Sequence, residues 1–286
     1  MRFKSGQEFL DQPNKAITIM GMSGVGKTTL AAMLQKLDWF QYSVDYRIGT
    51  RYMDEYIVDN FKREAMHNPF LRELLRSDSI YIRSNITFDN LAPLSTYLGK
   101  PGKQELGGIS MAEYKERQAQ HHDAEIKALL DVPEFIKRAA EIYGYGNFVC
   151  DSGGSLCEVV DPDNANDPVL KALADNTVII YIEGTPEHAK MLVERFRKNP
   201  KPMYYQPAFL DEIWTKYKAQ NKITDENAVV PNDFAAWGFE QLLHHRIPLY
   251  RKIAKNFGYT IPMQAVPQLH CVEDVVALIA KTIDQA

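Results

Sequence analysis

Gly21-Met22-Ser23-Gly24-Val25-Gly26-Lys27-Thr28 decides the reading of this chain, because it spells G-x-x-x-x-G-K-[ST]. Before it, Ala16-Ile17-Thr18-Ile19-Met20 is a short apolar, partly β-branched run that suits a buried strand. After it, Thr29 to Leu37 is a run of good helix formers. Strand, glycine loop and helix is the context in which this pattern cradles phosphate. Gly21, Gly24 and Gly26 allow conformations and close approaches that a Cβ would block. The N–H groups of Met22, Ser23, Val25 and Thr29, with those of the glycines, can then point inward at phosphate oxygens. The helix starting near Lys27 adds its positive end. Lys27 is expected to reach the β- and γ-phosphates, and the Thr28 hydroxyl to ligate Mg2+.

Bulk properties narrow the field. The chain has 286 residues, enough for one large or two modest domains, and its 45% hydrophobic and 24% charged content is ordinary for a globular protein. A net charge of −4 argues against broad nucleic-acid or membrane surfaces. Cys150, Cys157 and Cys271 form no C-x-x-C pair, which points away from a disulfide framework and towards a reducing compartment. No segment reads as a signal peptide or a membrane span, so the expected location is cytoplasmic.

Along the chain, the first helix is expected to close at Asp38-Trp39-Phe40, and Gln41 to Asp45 alternates as a second strand. Asp45 would fall at its C-terminal end, where ligands sit in open α/β sheets. There it could orient or deprotonate a substrate hydroxyl, or serve as a helix cap or ion-pair partner. Arg47 and Arg51 could grip an anionic substrate, or pair with Asp54 or Glu55. Residues 52–66 read as a helix and Ser79 to Arg83 as a strand, with a glycine-rich loop at 99–108 and a capped helix from Ser110. The irregular block 67–130 is read as an inserted substrate, lid or partner-binding subdomain within a single domain of 286 residues. His121-His122-Asp123 does not suit a metal, because adjacent residues on a helix point apart.

Asn147 to Asp151 is a short apolar strand ending in an acid that would hold Mg2+, followed by Ser152-Gly153-Gly154-Ser155, a turn that lets a ligand approach the backbone. Asn176 to Ile182 is the clearest buried strand, and Thr185-Pro186 opens a helix. Arg195, Arg197, Lys198 and Lys201 stand in a basic stretch broken by Pro200 and Pro202. That composition suits a lid closing over phosphates more than a solvated basic helix end. Thr260-Ile261 and Ala265-Val266 are candidate end-strand residues, and Val272 to Ile283 a closing helix.

Taken together, these segments resemble the shikimate kinase and gluconate kinase branch of small P-loop kinases. The loop carries most of the likeness. Val178 to Ile182 with Thr185-Pro186-Glu187 and Arg195 is similar to the strand-turn-helix before that family's lid. Lys201-Pro202-Met203 stands where the family often has Arg-Pro-Leu, and Leu243 to Tyr250 is similar to its L-x-x-R-x-P-L-Y segment. The resemblance implies nucleotide and Mg2+ at Lys27 and Thr28, and a hydroxyl-orienting acid at Asp45. It implies an acceptor site lined by Gly153 and Gly154, an acceptor anion on Arg246 and a lid over 195–201. The family's D-x-D pair reads Ser43-Val44-Asp45 here, its glycine triplet is a pair, and block 67–130 is extra. The expected acceptor is therefore not shikimate.

The sequence thus predicts an α/β P-loop NTPase fold, a three-layer sandwich with a mostly parallel sheet and a helical insertion. ATP and Mg2+ are the expected cofactors, and a small-molecule phosphoryl acceptor the expected partner. Two other classes fit the loop. One is a regulatory ATPase acting on a protein partner, since the loop is also similar to that of signalling ATPases with NB-ARC domains. The other is a kinase of nucleotides or nucleic-acid ends. Asn221-Lys222-Ile223-Thr224-Asp225 misses the N-K-x-D guanine motif by one residue.

Overall fold

The computed structural model describes residues 1–286 and divides into two compact units. The first comprises Met1–Val44, Ile126–Pro200 and Ala236–Ala286, and the second Asp45–Glu125 and Lys201–Ala235.

The first unit holds the sheet. Its five strands are β1 (Ala16–Met20), β2 (Trp39–Ser43), β3 (Asn147–Asp151), β4 (Val178–Glu183) and β5 (Gly258–Pro262), in the spatial order β2-β3-β1-β4-β5. Every neighbouring pair is parallel. β1 is buried along its whole length and β4 at all but its last residue. Both read as continuous apolar runs because helices cover both faces of the sheet. α1 (Gly6–Leu10) packs on α13 (Val272–Asp284), which touches β5 and α2 (Lys27–Leu34). α8 (Val132–Tyr143) packs on β2, β3 and α9 (Pro168–Asn176), and α9 on β4. These are the helical layers of an α/β/α sandwich. α10 (Pro186–Lys198) follows β4, and α12 (Pro231–Phe257) precedes β5.

Parallel register fixes the binding edge. Ile19 sits opposite Asp151, and Ser43 opposite Asp151 on its other side. Three neighbouring strands therefore end together. The chain runs from β1 to strands on one side and then crosses to β4 on the other, so this edge is a topological switch point.

The second unit is helical. It contains most of α3 (Val44–Arg47), a π-helical turn at Ile48–Tyr52, and α4 (Asp54–Met66), α5 (Pro69–Arg76) and α6 (Ala92–Leu98). It also holds α7 (Met111–Leu130) up to Glu125, α11 (Pro207–Gln220) and the first turn of α12. α7 buries polar as well as apolar side chains here. Tyr114 Oη and Gln118 Nε2 donate to the Met203 carbonyl at 2.8 and 3.1 Å, and Gln118 Oε1 accepts from Tyr205 N at 2.8 Å. Two turns of α7 thereby hold an irregular segment whose backbone has no ladder partner. The buried Arg117 lies 4.7 Å over the Tyr97 ring and donates to Glu113 at 2.6 Å.

Several local expectations are corrected. Trp39 and Phe40 belong to β2, not to the end of α2, because Trp39 and Tyr42 are the strand's buried positions. Asp45 accordingly falls in the first turn of α3 rather than in the strand. Ser79 to Arg83 forms no strand, and Tyr81 is exposed. β-propensity without a neighbouring strand does not make a sheet. Asn68-Pro69 separates α4 from α5 and also starts the latter: Asn68 Oδ1 accepts from Phe70 N at 3.0 Å and Pro69 takes the first helical position. Ala265 and Val266 lie in a 3-10 turn after β5.

Candidate active site

Gly21 to Gly26 connects β1 to α2. The φ angles of Gly21, Gly24 and Gly26 are 145°, 77° and 104°. At Gly26 the requirement is also spatial, since a Cβ there would meet Val266 Cγ1 at 2.8 Å. Gly26 is the residue before α2, and Lys27 is its first, so the open N-terminal end of that helix faces the loop. Lys27 is buried, and its ammonium donates to the carbonyls of Gly21 at 2.8 Å and Met22 at 3.0 Å. Its charge is thus held across the loop rather than in solvent. Ser23, Thr28 and Thr29 are exposed, and Met22 and Val25 are buried beneath.

β3 brings its acid to the same place. Thr28 Oγ1 donates to Asp151 Oδ2 at 3.1 Å, and Gly153 N donates to Asp151 Oδ1 at 3.1 Å. Both carboxylate oxygens are oriented, one by the loop helix and one by the turn that follows the strand. Ser152 Oγ donates to the Ile19 carbonyl at 3.0 Å, which ties that turn to β1. Two oxygen ligands in contact suit Mg2+, a hard cation that takes few protein carboxylates and keeps water and phosphate oxygens for its remaining positions. No group of three or more His, Cys, Asp and Glu residues forms a metal site elsewhere.

The turn is braced from α12. Arg246 donates to Glu158 Oε1 at 2.9 Å and to the Gly154 carbonyl at 2.6 Å, and His245 Nε2 lies 3.6 Å from Glu158 Oε2. Arg246 is 2% exposed and the Glu158 side chain 0%, so this is a buried pair. Burial is the largest single influence and works against the guanidinium charge, but Glu158 beside it, together with Cys157 and Tyr250, outweighs it and holds the charged form above its ordinary range. In the first unit, then, Arg246 grips a carboxylate and a backbone carbonyl of the glycine turn.

The basic stretch is divided. Arg195, Arg197 and Lys198 lie in the last turns of α10, all exposed, whereas Lys201 belongs to the second unit. Arg197 pairs with Glu240 at 2.6 Å. Of this basic stretch, Arg195 comes nearest the loop: its Nη2 lies 3.6 Å from the position of a Cβ on Gly24. Asp45, Arg47 and Arg51 are in the second unit, with the Arg47 guanidinium 5.4 Å from the Tyr52 ring centroid and Arg51 exposed.

Two residues at this site carry no sequence signal. Glu158 follows the glycine turn in a 3-10 turn, and nothing in its spacing predicts Arg246 as partner. His188 looks like an ordinary third residue of a capped helix, yet its ring lies against Gly24.

The fold and these contacts define a parallel α/β protein whose glycine loop, of the G-x-x-x-x-G-K-[ST] pattern, joins β1 to α2 at the sheet's C-terminal edge. No family model matches the chain, and no curated protein does. Among solved structures, the chain is similar to a shikimate kinase from Bacteroides thetaiotaomicron, with 15% identity over 93% of this chain and 95% of that one and a TM-score of 0.37. The fold rests on the five parallel strands and their order described above.

Proposed function

We propose that the chain is a Mg2+-dependent phosphotransferase that moves the γ-phosphoryl group of ATP to a small-molecule acceptor. The observation that carries this reading is the contact of Thr28 with Asp151 inside a complete glycine loop. Thr28 and Asp151 would hold Mg2+, which when bound neutralises phosphate charge. The loop N–H groups and Lys27 bind the β- and γ-phosphates. Arg195 and its basic neighbours, with Lys201, exclude water as a lid and meet the charge that develops on the transferred group. The bond between γ-phosphorus and the bridging oxygen breaks, ADP leaves, and a bond forms to the acceptor oxygen. Asp45 is proposed to orient that hydroxyl and take its proton, and Arg47 and Arg51 to grip an acceptor anion. Gly153 and Gly154 would line the acceptor's backbone contacts, with Arg246 acting through the Gly154 carbonyl it holds. A cytoplasmic location and a protein contact through 67–130 belong to the same proposal.

The test measures ADP release with Mg2+ and ATP in the presence of fractionated cytosolic metabolites, with Lys27→Ala as control. The expected result is release that one fraction stimulates and Lys27→Ala abolishes. Release that no fraction raises but a protein partner stimulates would replace this reading with the regulatory ATPase.

A further inference from the structure

His188 is buried at 6% exposure, and its Nε2 faces the Gly24 backbone, whose carbonyl is its one polar neighbour, without reaching normal hydrogen-bond geometry. Most buried polar atoms are paired, so such an atom calls for a reason. Its surroundings supply one. A Cβ on Gly24 would lie 3.3 Å from Nε2, and one on Gly184 would lie 2.9 Å from Nδ1. The imidazole is wedged between the phosphate loop and the β4–α10 turn. Thr185 fixes it there, since the cap bond from His188 N to Thr185 Oγ1 at 3.1 Å starts α10. From that helix the same face presents Leu192 and Arg195 to Gly24.

We propose that His188 is a proton-linked positioning residue of the phosphate loop, an imidazole that binds a proton as the phosphates of a nucleotide arrive. The charged groups around it set the sign. From its own helix Arg195 disfavours the imidazolium, and Glu187, the preceding residue, is exposed. On the loop Lys27 is the cation, and the Gly24 carbonyl favours the imidazolium. At the end of β4, Glu183 is paired with Arg251 at 2.5 Å. Burial above all, and then Arg195, hold the imidazole below the usual histidine range despite the Gly24 carbonyl. Nucleotide phosphates reverse the balance: they neutralise Arg195 and place negative charge beside the ring. The nucleotide-bound pKa then exceeds the free one. Linkage requires that affinity strengthen as pH falls through the bound pKa and level off below the free pKa. Each unit by which the phosphates raise this pKa is a tenfold gain in affinity.

This inference rests on the nucleotide reading of the loop, and the experiment separates the two. Binding of Mg-ATP to the full chain is followed by calorimetry between pH 6.5 and 8 in buffers of different ionisation enthalpy, for wild type and His188→Gln. Glutamine keeps a polar group at the ring's place without titrating. The expected result is greater proton uptake per nucleotide in wild type than in the variant, and a several-fold steeper gain in wild-type affinity towards pH 6.5. Should the variant unfold, the His188 resonance of histidine-labelled wild type is titrated with and without nucleotide, and its pKa is expected to rise on binding. Equal proton uptake by the two proteins, or an unmoved His188 pKa, overturns the role of His188 and leaves the nucleotide reading standing. Absence of Mg-ATP binding to wild type overturns both.

Discussion

Gly26→Ala isolates what the loop geometry demands. Gly26 has φ 104° and ψ 11°, and a Cβ there would approach Val266 Cγ1 to 2.8 Å and its Cβ to 3.4 Å. The substitution therefore adds two penalties. Holding an L-residue in that backbone region costs about 1–3 kcal/mol, and forcing a methyl against a buried valine costs about 1–3 kcal/mol more. The loop can relax, so the low end of the sum, about 2 kcal/mol, is expected in Mg-ATP binding, a loss of roughly thirtyfold. Val266→Ala removes the methyl groups that clash but leaves the backbone strain. Gly26→Ala with Val266→Ala should thus recover about half of the lost binding free energy, measured against Val266→Ala alone. Calorimetric titration gives the affinities, and urea unfolding shows that each protein is folded. Wild-type affinity in a folded Gly26→Ala protein, or no recovery in the double variant, would refute the reasoning.

Glu158→Gln leaves the buried Arg246 charge unmatched and should lower stability by about 3–5 kcal/mol, read as a fall in the urea midpoint. Asp167→Ala should cost about 1 kcal/mol, because Asp167 Oδ1 caps α9 by accepting from Val169 N at 3.0 Å and Leu170 N at 2.9 Å. Thermal unfolding of a variant that matches wild type would show that this cap does not matter. Cys150 is fully buried and its thiol is pushed above the ordinary range by burial first and Asp151 second, so it should resist alkylation at pH 8 until the chain unfolds. Mass spectrometry after a timed pulse of iodoacetamide checks this.

The elements around the phosphate loop were legible because local and tertiary preferences agree there. Ala16–Met20 and Asn147–Asp151 are apolar runs that also lie inside the sheet, and their observed bounds are those the sequence suggests. The glycines, Lys27 and the acid ending β3 follow from one motif and one strand end. Less was legible where partners are distant in sequence. Arg246 reads alone as a free anion grip, and only the fold brings Glu158 beside it. His188 is invisible for the same reason, since its neighbour Gly24 lies on another element. Tyr81 to Arg83 has strand-forming residues but no strand to pair with. Gln118 on α7 carries no sequence signal of its contact, because its partners Met203 and Tyr205 lie 85 and 87 residues further along the chain.

The most direct test of the central claim, that Gly21 to Thr28 with Asp151 forms a site for Mg2+ and a nucleoside triphosphate, is a titration of ATP with and without Mg2+. It is made on wild type, Lys27→Ala and Asp151→Asn. Wild type should bind Mg-ATP more tightly than ATP in EDTA, Lys27→Ala should bind either form at least tenfold more weakly, and Asp151→Asn should lose most of the difference that Mg2+ makes. Equal affinities across the three folded proteins, with no effect of Mg2+ in any, would contradict the account.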